Sequence, residues 1–266
     1  MRQMLLKAVM AAAFLFLLAP ILMVVVSSFS GGGAYVFPPP HLTTRWYESI
    51  DVGYYSALRV TLIVATITSV VACLLGVPAG IGLARARFWG RDMISSICLS
   101  PLMTPALVMA VALFQFALIV WDHTRLSLMG SITGLVLGHL TFAIPFTIRA
   151  ILSSHTNYDH SIEEAAANLG ANPLQIFWRI TLPVLRPGIV SGFVMSFLMS
   201  VDEVPIALFL GGGDATTLPV RIFTAIEISF GGEILAVSAL VVGASVIAML
   251  ILDRLIGLDR LFIQKA

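Results

Sequence analysis

The sequence predicts an all-α integral membrane protein, a bundle of six transmembrane helices. Three observations lead there. Of 266 residues, 59% are hydrophobic and only 11% are charged, too little charge to cover a soluble domain. The charges are also unevenly spread. No Lys, Arg, Asp or Glu occurs from Ala8 to Thr44, Val60 to Ala84, Met93 to Trp121, Leu126 to Ile148 or Ile234 to Leu252. Each window offers roughly 20 apolar residues, enough to cross a hydrocarbon core of about 30 Å as a helix. A sixth segment, about Pro187 to Leu210, is apolar apart from Asp202 and Glu203. Backbone in lipid must satisfy its own hydrogen bonds, which leaves helices or closed barrels. Barrel strands would alternate apolar and polar residues, and these segments do not.

The expected spans are about 5–28, 58–84, 94–120, 131–151, 187–210 and 234–252 of a single transmembrane domain, 1–266. The first apolar run, Ala8 to Val26, is longer than the 7–15-residue core of a cleaved leader, so an uncleaved helix is expected. An outside segment, Gly31 to Asp51, follows. Pro38-Pro39-Pro40 makes it extended, and Trp46 and Tyr47 suit the membrane surface. Span two ends in the basic turn Arg85 to Arg91; Gly76, Gly80 and Gly82 within it permit close helix packing. Pro101 and Pro105 should kink the start of span three or make it irregular. In span four, His139 is expected as a satisfied histidine between helices. Beyond span five, glycine turns bracket a short helix, Pro219 to Glu227. Cys73 and Cys98 fall in or beside apolar helices and read as packing residues.

Charge fixes the expected orientation. Arg2, Lys7, Arg85, Arg87, Arg91, Arg149, Arg179, Arg186, Arg254, Arg260 and Lys265 fall on one side; Arg45, Arg59, Arg125 and Arg221 fall on the other. The richer side is cytoplasmic, which puts both termini in the cytoplasm.

The most informative segment is the inside loop, about 153–186. Ser161 and Glu164 fit a capping box that starts a helix. Gly170 suits its end, and Asn172 with Pro173 suits the start of a second helix. Leu174, Phe177 and Ile180 fall on one face of that helix, and Leu182-Pro183 is expected to end it. Two short amphipathic helices at an angle offer a surface for a partner's groove.

The pattern Glu164-Ala165-Ala166, three residues, Gly170, nine residues, Ile180-x-Leu182-Pro183 resembles the signature loop of binding-protein-dependent ABC importer permeases. The resemblance covers nearly the whole chain and implies a type I importer fold, with this loop as the cytoplasmic coupling helix between spans four and five. It implies that Glu164, Ala165, Ala166, Gly170, Asn172, Pro173, Leu174, Phe177, Ile180, Leu182 and Pro183 meet an ATPase. The implied partners are two cytoplasmic ATPases that bind ATP and Mg, a second permease in a heterodimer, an extracytoplasmic solute-binding protein, and membrane lipid, with no nucleic acid. The physical logic agrees. Neither glycine triplet is followed by the Lys-Ser/Thr of a phosphate-binding loop, so this chain carries no nucleotide site or cofactor of its own, and force must come from another subunit.

Within that family, FPPPHLTTRWYESI and SVDEVPIALFLGGGDATTLPVRIF resemble the spermidine/putrescine branch, and related branches serve ferric iron, sulfate and other small solutes. Asp202 and Glu203 inside a span cost about 2.5–3.5 kcal/mol each on insertion scales, so they should face a cavity or a partner. Pro205 removes the amide that would bond Val201. A loosened backbone beside two carboxylates suits a path for cations. An ion-coupled carrier and a membrane enzyme are the competing classes; neither explains the inside loop.

Overall fold

The computed structural model describes residues 2–32, 36–86, 88–156 and 158–256. Gly33 of the first glycine triplet, Arg87, Arg260 and Lys265, all used above, lie outside the described residues. In chain order the helices are α1 (Arg2–Ser27), α2 (Val52–Arg85), α3 (Arg91–Leu99), α4 (Ala106–Thr124), α5 (Ile132–His155), α6 (Ser161–Asn168), α7 (Pro173–Val184), α8 (Arg186–Val201), α9 (Pro205–Leu210), α10 (Leu218–Ile228) and α11 (Gly232–Ile256). Among the described residues no strand forms beyond two isolated bridges.

Four helices are long and apolar enough to cross a membrane: Gln3–Ser27, Val52–Arg85, Ala106–Thr124 and Ile132–His155. A fifth crossing is available if Pro173–Val184 and Arg186–Val201, bent by 62°, count as one broken span. By length and composition, four or five of the six expected crossings are thus present among the described residues. Proline explains much of the difference. Expected span three is interrupted: a 3-10 turn at Ser100–Met103 and an extended Thr104 separate α3 from α4. Expected span five breaks at Asp202, before Pro205 at the first position of α9. Its longer piece, α8, has 16 residues and reaches only about 24 Å. The apolar stretch Gly232–Ile247 of α11 is shorter than the four spans.

The chain forms two compact units, 1–56 with 221–266 and 57–220. In the first, the Trp46 indole donates to the Ser30 carbonyl at 2.8 Å and the Tyr47 hydroxyl lies 2.6 Å from Ser28 Oγ. Both rings are half-buried and pin the turn that carries them to the end of α1. Residues Arg45–Glu48 form one helical turn. Asp51 accepts from Arg221 at 2.8 Å, and its amide donates to Glu233 at 2.9 Å. These contacts tie the start of α2 to α10 and α11. The Leu218–Ile228 helix matches the expected 219–227.

The second unit is built around α5. A Cβ on Gly76 would lie 2.8 Å from Thr147 Cβ, and one on Gly80 2.8 Å from Ile151 Cβ. Small residues thus let α2 and α5 touch backbone to backbone. Gly82 meets nothing within 4 Å, so its expected packing role is corrected. Gly188 and Gly192 of α8 likewise approach Ser154 and Thr147 of α5. The same seam buries polar pairs: His139 Nδ1 and Ser200 Oγ at 2.7 Å, and Thr147 and Ser196 at 3.2 Å. His139 is bonded on one ring nitrogen, while its buried Nε2 has no partner, so its expected satisfaction is half met. Ile206 and Leu210 of α9 pack on Gly138 and on the α4 side chains Ala110 and Leu113.

Candidate functional site

The loop between α5 and α8 carries the predicted site, all within the second unit. Its first helix starts differently from expectation. His160 is the cap residue of α6, and Ser161 makes no capping bond; instead the Asp159 carboxylate accepts from the Ser161 amide at 2.9 Å. An acceptor placed two residues earlier starts the helix sooner, and the Ser161–Glu164 box gives way. The end is as expected. Gly170 adopts φ +90°, a left-handed conformation that suits glycine. Its amide bonds Ala167 at 2.9 Å and that of Ala171 bonds Ala166 at 3.0 Å, the paired closure of a glycine-ended helix. Asn172 then caps α7 with Pro173 in its first turn, and Gln175 returns the bond to the Asn172 amide at 3.0 Å.

Past that cap the helix departs from the regular pattern. Phe177–Thr181 form a π-helical turn, and the helix continues through Leu182–Val184. Leu182-Pro183 therefore does not end it. Pro183 cannot donate to the carbonyl one turn back and would crowd it, and a widened turn relieves both problems. The helix ends at a 62° elbow whose Leu185 is fully buried, and α8 begins there.

The expected apolar face is split. Leu174 is 67% exposed, whereas Phe177 packs against the cluster of Val77, Ile81, Ile151, Tyr158 and Leu185. Ile180 is half-buried. The most exposed apolar residues of the loop are Leu169, Leu174 and Trp178, with Trp178 60% exposed. Trp178 lies four residues after Leu174, a helical spacing visible in the sequence. Glu164 and Ala165 are exposed, Ala166 is half-buried, Leu182 is half-buried and Pro183 is exposed.

The carboxylate that organises the loop is Glu163, not Glu164. It accepts from the Arg85 guanidinium, the Tyr158 phenol and the Thr181 hydroxyl. Arg85 also donates to Thr181 Oγ1 at 3.1 Å. Burial pushes the Glu163 acid upward, but hydrogen bonds from Thr181 and Tyr158 and the charge of Arg85 outweigh it and leave it below its ordinary value. Burial, then the bond to Glu163, raises the Tyr158 phenol. The rings of His155 and His160 sit 5.1 and 5.0 Å from Tyr158. A lone Glu before E-A-A gives no sequence signal for this cluster, because its partners lie up to 78 residues away.

Asp202 and Glu203 occupy the break between α8 and α9. Asp202 ends α8 and is exposed. Glu203 turns back on its own chain and accepts from the Ile206 amide at 2.8 Å, satisfying one free donor at the start of α9. The structure thus gives the two carboxylates different surroundings and does not present them as a matched pair.

Several apolar helices, one of them broken, together with one polar, helical loop mark a multi-pass membrane protein. Residues 76–258 match the family model described as binding-protein-dependent transport system inner membrane component. The chain is 35% identical over 210 residues to the putrescine transport system permease protein PotI of Escherichia coli K12, covering 76% of this chain and 73% of that one. It is 28% identical over 220 residues to the spermidine/putrescine permease PotC of the same organism, covering 82% and 81%. The fold matches a bacterial alginate ABC importer with a TM-score of 0.67 at 19% identity, over 97% of this chain and 96% of that one. It matches the MetNI methionine ABC transporter with 0.62 at 18% identity, over 80% and 97%. The chain belongs to the family of inner membrane components of binding-protein-dependent transport systems, as an ABC importer permease.

Proposed function

We propose that this permease imports a polyamine of the putrescine or spermidine kind, delivered by an extracytoplasmic binding protein. The similarity to PotI, spread over three quarters of both chains, carries this reading. The chain pairs with a second, different permease and with two cytoplasmic ATPases, which hold ATP and Mg. Six crossings complete the bundle: α1, α2, α4, α5, the broken α8–α9 unit and α11, with both termini in the cytoplasm and loop 153–186 beneath.

The coupling site is that loop. Glu164, Ala165, Ala166, Gly170, Asn172, Pro173, Leu174, Ile180, Leu182 and Pro183 form it with Trp178, while Phe177 holds it to the bundle. Two features support the role: an outward apolar strip of Leu174 and Trp178 fits a groove, and α7 runs into α8 through a buried elbow. ATP-driven closure of the ATPases lifts the loop, opens the cavity outward, and hydrolysis resets it. Asp202 and Glu203, beside the backbone break, line the cation path.

The test is uptake of labelled putrescine and spermidine by the reconstituted four-subunit complex with its binding protein. Saturable, ATP-dependent uptake supports the reading. Stabilisation of the binding protein by ferric iron or an oxyanion, with none by polyamines, would assign another cargo; the molybdate/tungstate permease WtpB of Pyrococcus abyssi, 32% identical over 148 residues, makes an oxyanion the reading to exclude. Asp202→Asn and Glu203→Gln should lower uptake, and unchanged affinity and rate would remove both from the path.

A further inference from the structure

Four segments of the second unit converge on one carboxylate oxygen of Glu163. Arg85 is the last residue of α2, Tyr158 lies between α5 and α6, Glu163 is in the first turn of α6, and Thr181 is in the π-turn of α7. The donor count closes without a clash. The Thr181 hydroxyl gives its one proton to Glu163 and accepts from Arg85 with its oxygen. Thr181 is fully buried, the Glu163 side chain is 16% exposed and that of Arg85 34%, so the acceptor end of the pair is largely covered while the guanidinium reaches solvent. The Tyr158 ring is wedged among the α2 side chains Val77 and Ile81 and the elbow residue Leu185, which fixes the phenol.

The placement has a mechanical meaning. In the chain, the loop is continuous only with α5 and α8. Helix α2 ends beside it, separated by 78 residues from Glu163 and 96 from Thr181. Without this node the loop would hold α2 only through the apolar packing of Phe177, Tyr158 and Leu185 on Val77 and Ile81. With it, the loop also grips a third by its end, through a charged group that cannot be left unpaired cheaply.

We propose that Arg85, Tyr158, Glu163 and Thr181 form a positioning node that makes the end of α2 and the loop move as one body when the ATPase displaces the loop. The node rests on the coupling role given to the loop above. It adds α2 to the helices that receive the force, and its four members are positioning residues that touch no cargo.

The experiment uses the assembled complex in lipid nanodiscs, with Cys73 and Cys98 replaced by Ala. Spin labels are placed at Gly82→Cys, where an added Cβ meets nothing within 4 Å, and at Leu169→Cys, which is 90% exposed. Distances are measured without nucleotide and after trapping with Mg-ATP and vanadate. With the node intact, one narrow distance persists in both states. In Glu163→Gln and Arg85→Ala, trapping produces a second distance, its population raised about fivefold or more, the low end of a coupling free energy between two sites. Arg85→Lys keeps the charge and stays nearer the native result. Tyr158→Phe keeps the wedged ring and loses one donor; it gives the same comparison if the charge variants fail to assemble. A staple that only stabilised the fold would not change the distance on trapping. A distance that changes between states in the intact protein, or one that stays single in Glu163→Gln, overturns the node alone. An ATPase that does not bind the native loop overturns the coupling role and the node together.

Discussion

Gly80 offers the sharpest stability test, because its neighbour Gly82 is a control on the same helix. In Gly80→Val the new Cβ would stand 2.8 Å from Ile151 Cβ and 2.9 Å from its Cγ2. Carbon atoms rest at about 3.5–4.0 Å, so the seam is short by about 0.7 Å before the two further methyls are counted. Ile151 cannot yield: it is fully buried and branched at Cβ, with a stiff first torsion. Helices α2 and α5 must part, and forced overpacking of this kind costs about 3 kcal/mol. In Gly82→Val the same side chain enters open space. Any change in helix propensity is common to both variants and cancels in their difference. The assay is denaturation in mixed SDS micelles, followed by fluorescence of the native tryptophans. Gly80→Val should unfold at clearly lower SDS than Gly82→Val, with the latter near the native midpoint. Equal midpoints would refute the claim that α2 and α5 meet through this seam.

Other variants address the loop. Trp178→Ala should leave the permease folded but weaken ATPase association by about 2 kcal/mol, the usual scale for an aromatic anchor in a docked groove; co-purification of the ATPase with the variant checks this. Gly170→Ala forces a Cβ into the left-handed region at φ +90°, and should cost about 1–2 kcal/mol and loosen the angle between α6 and α7; protease sensitivity at Leu169 and Ala171 reads it out. Glu163 titrates below its ordinary value of 4.5, so its contribution is full above that pH and is lost as pH falls through the lower native value. Acid unfolding of the native protein should therefore show a pH dependence in that range that Glu163→Gln lacks.

Charge-free windows located the apolar helices because desolvating a charge is costly at every point of a span. They did not locate the breaks. Hydropathy averages over residues and is blind to where the backbone loses a donor, so expected span three ran through Pro101 and Pro105 as irregular helix when a 3-10 turn and an extended Thr104 lie there. At Pro205 the missing amide did mark a loosened backbone, and the helix breaks just before it, at Asp202. Asp202 and Glu203 were visible as costly residues, but their surroundings were not. A free amide at the start of α9 claims one oxygen of Glu203, and that start exists only because the helix breaks. The glycine pattern was half legible: Gly76, Gly80 and Gly82 are equally small, and only the facing positions of Thr147 and Ile151 separate the first two from the third.

The loop shows why a motif can be found and its face still misplaced. Leu174, Phe177 and Ile180 share a stripe at regular spacing, at about 0°, 300° and 240° around an α-helix. The buried arc is centred nearer 240°, which leaves Leu174 at its outer edge with Trp178 at about 40°. Thr181 would fall at about 340°, on the exposed side, if the helix were regular. A π-turn absorbs one extra residue and sets later positions back by about 100°, which carries Thr181 into the buried arc. There it is fully buried and reaches Glu163. The wide turn that accommodates Pro183 is thus the same distortion that closes the polar node. Restoring a regular helix, for example by Pro183→Ala, should remove the need for the turn and rotate Thr181 away from Glu163. The spin-label distance between Gly82→Cys and Leu169→Cys would then vary with nucleotide state as it does in Glu163→Gln. A distance still single in Pro183→Ala would show that the turn is held by something other than the proline.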